Sequence, residues 1–223
     1  MTIDAIVLSK TGSLNHYGIS CRTINSLQAS REWGGKTIVV ESMTESHLQE
    51  NGFIYNNCDI IFPEMEFNYN KFLNIGIKAS TADWVLLCNN DIYFYKNWLV
   101  EMKKAIFDYK DIKSFSPISP TWHLHQGLES GCIVGYEVSK HICGWCILVR
   151  KDVVESCDLF DENFKFWYQD NDYSLTLKKN NIKHGLVTSS RVEHYISKSY
   201  DLLGDTEIDM THGQHQRFIA KWN

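Results

Sequence analysis

The apolar run from Trp84 to Cys88 ends abruptly in Asn89-Asn90-Asp91 before an aromatic stretch, Tyr93 to Tyr95. Residues i and i+2 at a strand end point the same way, so Asn89 and Asp91 can face one ligand. An amide oxygen plus a carboxylate suits a hard cation that also binds phosphate oxygens, such as Mg²⁺ or Mn²⁺. The same triplet is good turn chemistry, and taken alone it reads first as a plain turn. A second group is "QDND", Gln169 to Asp172, which follows Phe166, Trp167 and Tyr168. Apolar surroundings raise a carboxyl pKa, which suits Asp170 to the work of a general base. Asp172 reads instead as a helix N-terminal acid favoured by the macrodipole. His194, among apolar neighbours in "VEHYISKSY", reads alone as a structural histidine and gains interest only beside the other two groups. Cys143-Gly-Trp-Cys146 has redox spacing but runs into the strand-like "ILVR" and not into a helix N-terminus. Cys132, His141 and Cys157 lack the paired spacing of a zinc site, so Cys143 and Cys146 are read as buried structural thiols.

The elements that must position these residues alternate in type. Ala5 to Leu8 reads as a strand, Ile19 to Arg31 as a helix, and Thr37 to Val40 as a strand ending at Glu41-Ser42. A helix over Asn70 to Ser80, the strand Trp84 to Cys88 and a helix over Trp98 to Tyr109 follow. Such alternation implies βαβ units and a mainly parallel sheet flanked by helices, with ligands at the carboxyl ends of the strands. Asn89 to Asp91 lies at one such end. Lys113 to His141 reads as irregular, with Trp122, His123 and His125 between prolines and glycines, and Ile142 to Val149 as a strand. Phe160 to Val187 reads as an acidic, aromatic loop and a helix, capped by Asp172 and stopped near Gly185.

The chain of 223 residues is 43% hydrophobic and 22% charged, suited to one α/β domain with a substantial core. A net charge of -5 gives no general pull toward nucleic acid or anionic membrane, while leaving room for a local basic groove. The opening "MTIDAIVLSKTG" lacks a signal-peptide pattern, and no transmembrane segment is expected. Seven scattered cysteines are read as reduced thiols in a cytoplasm. Absence of G-x-G-x-x-G, Walker, G-x-S-x-G and H-E-x-x-H patterns removes most dehydrogenase, P-loop, hydrolase-fold and metalloprotease readings.

Taken in order, these segments resemble the GT-A glycosyltransferases, and within them the family 2 group. "TIVVES" resembles the family strand whose last acid contacts the nucleotide, here Glu41. "FLNIGIKASTADWVLLCNND" is similar to the block that ends in N-x-D, with Asn74, Gly76, Asn89 and Asp91 at matching places. "CGWCILVRKDVVESCDLFDENFKFWYQDND" resembles the acceptor-side block with F-D-E-x-F and E-D-x-D, and "VEHYISKS" the closing H-x-x-x-x-S. The tail "HQRFIAKWN" also looks like a frequent family ending. Two departures stand out: Leu73 replaces the usual arginine, with Lys71 nearby, and Gln169 replaces the usual glutamate.

The resemblance implies a single domain over 1–223, with a donor half (1–112), an acceptor half (113–200) and a tail (201–223). It implies a nucleotide-diphosphate sugar donor contacted by Ser9, Glu41, Lys71, Asn74 and Asn90. A divalent cation, Mn²⁺ favoured over Mg²⁺ because of the imidazole, would be held by Asp91, Asn89 and His194. Asp170 would be the base of an inverting transfer. Trp145, Trp167 and Tyr168 would stack on acceptor sugars, although the same rings suit core packing. The acceptor is expected to be a glycan or lipid-linked sugar, or else a hydroxymethylated base in phage DNA, in a bacterial cytoplasm or a phage-infected host cell. A basic face from His123, His125, Lys165, Lys178, Lys179 and Lys183 would serve the DNA case. A sugar nucleotidyltransferase is the alternative, but it needs a Gly-rich basic phosphate loop, and "SKTGSLN" offers one glycine and Lys10. A non-catalytic sugar- or partner-binding module of the same fold is the other, opposed by the intact N-x-D, Asp170 and His194.

Overall fold

Strands β1 (Ile3–Ser9) and β2 (Thr37–Glu41) are buried at every position, the mark of parallel strands covered on both faces. With β3 (Asp59–Ile61) and β4 (Trp84–Asn89) they pair in parallel in the order β3-β2-β1-β4. Beyond β4 the sheet continues through β8 (Cys146–Arg150), β6 (Ile112–Ile118), β9 (Lys183–His194) and β5 (Ile92–Phe94), with β7 (Cys132–Val134) also on β9. β8, β5 and β7 run against the remaining strands, so the sheet is parallel through β3-β2-β1-β4 and mixed beyond β4. This computed structural model describes residues 1–30, 32–158, 160–195 and 212–223. Arg31 of the first expected helix, Ile196 to Ser199 of the closing element and residues 201–211 of the tail lie outside the described residues.

Helices cover both faces. Ile24 and Leu27 of α1 (Leu14–Gln28) and Trp98 and Met102 of α4 (Trp98–Asp108) pack on Ala5, Val7 and Phe115. On the other face α3 (Tyr69–Ala79), α5 (Lys151–Cys157) and α6 (Gln169–Lys179) bury Phe72, Leu73, Val153, Tyr173 and Leu177 against Ile6, Val40 and Val149. Gly76 explains itself here: a Cβ would lie 2.4 Å from Ile6 Cγ2, so only glycine lets α3 approach β1 this closely. The short α2 (Glu45–Glu50) follows β2, and α7 (His212–Trp222) ends the chain. Among the described residues no helix is long and apolar enough to cross a membrane.

Several boundaries differ from expectation for local reasons. α1 starts at Leu14, before the expected Ile19, because the Ser13 hydroxyl accepts the His16 N–H at 3.3 Å as an N-cap. The segment expected to be irregular carries β6 and β7. The strand expected from Ile142 begins at Cys146, since Cys146 N–H closes a turn onto Cys143 O at 2.8 Å. Asp172 does not cap α6; Tyr168 holds that place at φ +64. The chain turns after α6 at Asn181 (φ +54), and Gly185 lies inside β9, where a Cβ would be 2.5 Å from Cys132 Sγ.

Candidate active site

The parallel register of β1 with β4 ends at Leu8 opposite Asn89, which sets Asn89 at a carboxyl edge of the sheet. The chain then reverses through Asn90 and Asp91 into β5, whose pairing puts Ile92 opposite His194. Tyr195 N–H donates to Asp91 O at 2.9 Å, locking the two segments together. As a result His194 Nε2 lies 3.4 Å from Asp91 Oδ1, both side chains being largely buried. Trp145 stacks on the imidazole with centroids 5.2 Å apart and planes 15° apart, and His194 Nδ1 is buried without a hydrogen-bond partner. Asn89 Oδ1 accepts from the Tyr69 hydroxyl at 3.0 Å, and the same hydroxyl lies 3.1 Å from Gly144 O. Tyr69 was not foreseen; its signal is its place as the first residue of α3, aimed at the end of β4.

A cavity of about 570 Å³ opens beside this cluster. Its lining includes Tyr69, Asn89, Trp145 and His194 together with the continuous run Phe166 to Asn171. Asp170, in the first turn of α6, accepts the Asn171 N–H at 2.9 Å, and burial pushes its carboxyl above the usual range. Gly144 lies against it: a Cβ there would be 3.0 Å from Asp170 Cβ and 3.2 Å from Oδ2. The three expected stacking residues all line the cavity but differ in what their rings touch. Trp145 covers His194, Tyr168 stacks on His215 at 5.2 Å, and Trp167 is 40% exposed.

The expected donor residues are not among those lining this cavity. Glu41, at the end of β2, is wholly enclosed: Oε1 accepts from Thr11 N–H and Met43 N–H, each at 2.9 Å, and Oε2 from the Thr11 hydroxyl at 2.8 Å. Ser9 Oγ joins Thr11, Ser20 and Tyr55 hydroxyls within the same network. Thus Glu41 and Ser9 are turned inward, where they shape the loops after β1 and β2. Asn90 faces α1, donating to Ser20 Oγ at 2.9 Å and accepting from Thr23 Oγ1 at 2.5 Å. Asn74 clips α3 to the acceptor-side loop, donating to Phe160 O at 2.9 Å and Glu162 Oε1 at 3.0 Å. Lys71 is half-buried on the first turn of α3, its N–H capped by Asn68 Oδ1 at 2.9 Å.

Cys88 and Cys146 face each other across β4 and β8, and Cys143 lies 3.5 Å from His123 Nε2. All three thiols are buried and free, and desolvation pushes each pKa up, which leaves them inert. The basic face does not assemble as a free surface: His123 is buried, Lys183 pairs with Asp111 at 2.5 Å and Lys178 lies over Tyr136. Of the donor set expected for a divalent cation, Asp91 and His194 are paired, and Asn89 and His194 line the cavity. A 3.4 Å separation is long for a hydrogen bond and suits two donors that share an ion. Among the described residues no third His, Cys, Asp or Glu joins them, so a hard ion here would draw further oxygens from its substrate. The chemistry of the set fits.

No family model and no curated protein matches the sequence. Solved structures do. GalNAc-T7 with UDP, GalNAc and Mn²⁺ superposes with a TM-score of 0.69 at 12% identity, over 87% of this chain and 44% of that one. S. aureus TarS superposes with a TM-score of 0.62 at 15% identity, over 88% of this chain and 37% of that one. The fold is GT-A. The chain thus spans less than half the length of either structure, and at such identities the likeness is one of fold. The cavity lies where the mixed part of the sheet joins the parallel strands β3-β2-β1-β4, at the end of β4.

Proposed function

We propose that this chain is a family 2-like, inverting glycosyltransferase that moves a sugar from a nucleoside-diphosphate sugar to an acceptor hydroxyl of a glycan or lipid-linked sugar. The observation that carries the reading is the shared cavity, lined by Asp170, Asn89 and His194, the last beside Asp91. A carboxylate that burial makes more basic can remove a proton near neutral pH. Asp170 takes the proton of the acceptor hydroxyl; the freed oxygen bonds to the anomeric carbon as the bond from that carbon to the diphosphate oxygen breaks. One displacement by one base inverts the anomeric centre. Asp91, His194 and Asn89 would hold a divalent cation, Mn²⁺ before Mg²⁺, which supplies positive charge to the departing diphosphate. Trp145 keeps the His194 ring in one orientation, and the Tyr69 hydroxyl does the same for the Asn89 amide. Trp167, with its exposed ring, is the residue best placed to stack on an acceptor sugar.

The first test is a panel of UDP, GDP and TDP sugars measured by thermal shift with and without Mn²⁺, then hydrolysis of each donor that binds. UDP sugars come first, because GalNAc-T7 was solved with UDP. A metal-dependent shift with one nucleotide followed by slow donor hydrolysis is expected. No shift with any nucleotide sugar in either condition removes the reading.

A further inference from the structure

The last helix grips the wall that carries Asp170. Asp172, two residues along α6, has no exposed surface, and a buried carboxylate is tolerable only with partners. Both of its side-chain partners come from the end of the chain: Lys221 Nζ lies 2.8 Å from Asp172 Oδ1, and Trp222 Nε1–H donates to the same oxygen at 2.7 Å. Lys221 also reaches Asp161 Oδ2 at 2.8 Å. Farther up α7 the grip continues on the approach to α6. Buried Gln214 accepts the Lys165 N–H at 2.9 Å, Arg217 donates to Asn163 O at 3.0 Å, and His215 stacks on Tyr168. Tyr168 is the left-handed residue (φ +64) from which α6 starts, and Asp172 N–H closes the first turn onto its carbonyl at 2.9 Å. Everything between these anchors, including Phe166, Trp167 and Asp170, lines the cavity.

We propose that α7 is a positioning brace for the active site: Lys221 and Trp222, acting through Asp172, and Gln214 and His215, acting on the segment before it, hold Asp170 and Trp167 in the cavity wall. None of these α7 residues touches the reacting atoms in this scheme; they set where the base stands. The role assigned to Asp170 rests on the function proposed above, whereas the brace itself does not. A left-handed tyrosine at a helix start is a conformation that persists only when its surroundings over-determine it, and α7 provides those surroundings.

Trp222→Phe and Lys221→Met in the full chain test this with two readouts. Amide hydrogen exchange is expected to speed up about tenfold across residues 165–171 in each variant, and to stay unchanged across 84–91 in β4. Hydrolysis of a UDP sugar with Mn²⁺ is expected to lose roughly ten- to a hundredfold in kcat, with UDP affinity within about twofold of the parent. Unchanged exchange in 165–171, or an equal rise in 84–91, overturns the brace, since the helix would then contribute only to general stability. Faster exchange with unchanged kcat overturns the positioning of Asp170. If the parent protein hydrolyses no nucleotide sugar, the role of Asp170 fails and the exchange result alone decides whether α7 holds this wall.

Discussion

Glu41 and Asp170 are both carboxylates drawn in from the surface, Glu41 wholly and Asp170 in part, yet their surroundings are opposite. Glu41 accepts two backbone N–H groups and a hydroxyl, all from the loops it holds. Asp170 accepts from the adjacent Asn171 N–H while its wall faces a cavity, and burial raises its pKa. The end of β2 is therefore a finished network that fixes loops, whereas the start of α6 leaves a carboxylate beside the cavity, where the proposed function makes it the base. Asp172 repeats the lesson within a single helical turn: Lys221 and Trp222 satisfy it, and it becomes architecture. Burial pushes the pKa of both Asp170 and Asp172 up, so the partners of the lone pairs, not burial alone, distinguish the two acids.

The sharpest way to break this contrast is Asp170→Asn. Transfer is expected to fall roughly 10²- to 10⁴-fold with nucleotide-sugar binding retained, measured by product formation and calorimetry. Because the folded-state pKa of Asp170 is raised, the native chain holds that proton more tightly than the unfolded chain does. The group therefore favours folding at low pH, and that contribution is lost as pH rises through its folded pKa. The neutral amide removes the cost of burying the charged form, so the variant should melt no lower than the parent at pH 7. A lower melting point would make Asp170 structural.

Asp91→Ala comes next in size. Mn²⁺-dependent donor hydrolysis should drop by roughly 10²-fold or more, and Mn²⁺ should no longer raise the melting temperature in the presence of UDP. Full activity would mean that the pairing of Asp91 with His194 is only a clasp between β5 and β9. Gly144→Ala sharpens the acceptor side, since its Cβ would press on Asp170. About tenfold lower transfer, with a stability loss on the order of 1 kcal/mol, is expected from steady-state rates and denaturant melts. Glu41→Gln probes the donor side and should have the smallest effect on chemistry. An amide turned toward the N–H groups of Thr11 and Met43 should cost about 2 kcal/mol in a denaturant melt, while kcat stays within about threefold. A large fall in kcat at unchanged stability would move Glu41 from scaffold to catalysis.

The strands β1, β2 and β4 and the helices α1, α3 and α4 were legible because each strand is a short apolar run and each helix carries a buried face, whereas α2, β3 and β5 were missed, being three to six residues long with few buried positions. Cys88 to Asp91 was legible too, since amides and a carboxylate at the end of a buried strand are chemically conspicuous. Less legible were β6, β7 and β9: Ser114, Ser116 and His184 interrupt the apolar pattern, but all three are buried, with Ser114 bonded to Tyr173 and His184 at 2.7 Å each. A polar residue satisfied inside a sheet looks, in sequence, like a loop residue. Tyr69 was missed for the same reason, as its hydroxyl has meaning only once Asn89 and Gly144 are beside it.

The sequence by itself determined the fold class, the strand end at Asn89 to Asp91 and the structural character of the thiols Cys143 and Cys146. These depend on local pattern and composition, which the chain carries in order. Only the tertiary structure decided that Asp91 meets His194, that Gly144 lies against Asp170, that Glu41 and Ser9 turn inward, and that the final helix clasps Asp172. Those outcomes depend on pairing register and on which donor reaches which lone pair. Such contacts join residues far apart in the chain, and no local pattern encodes them.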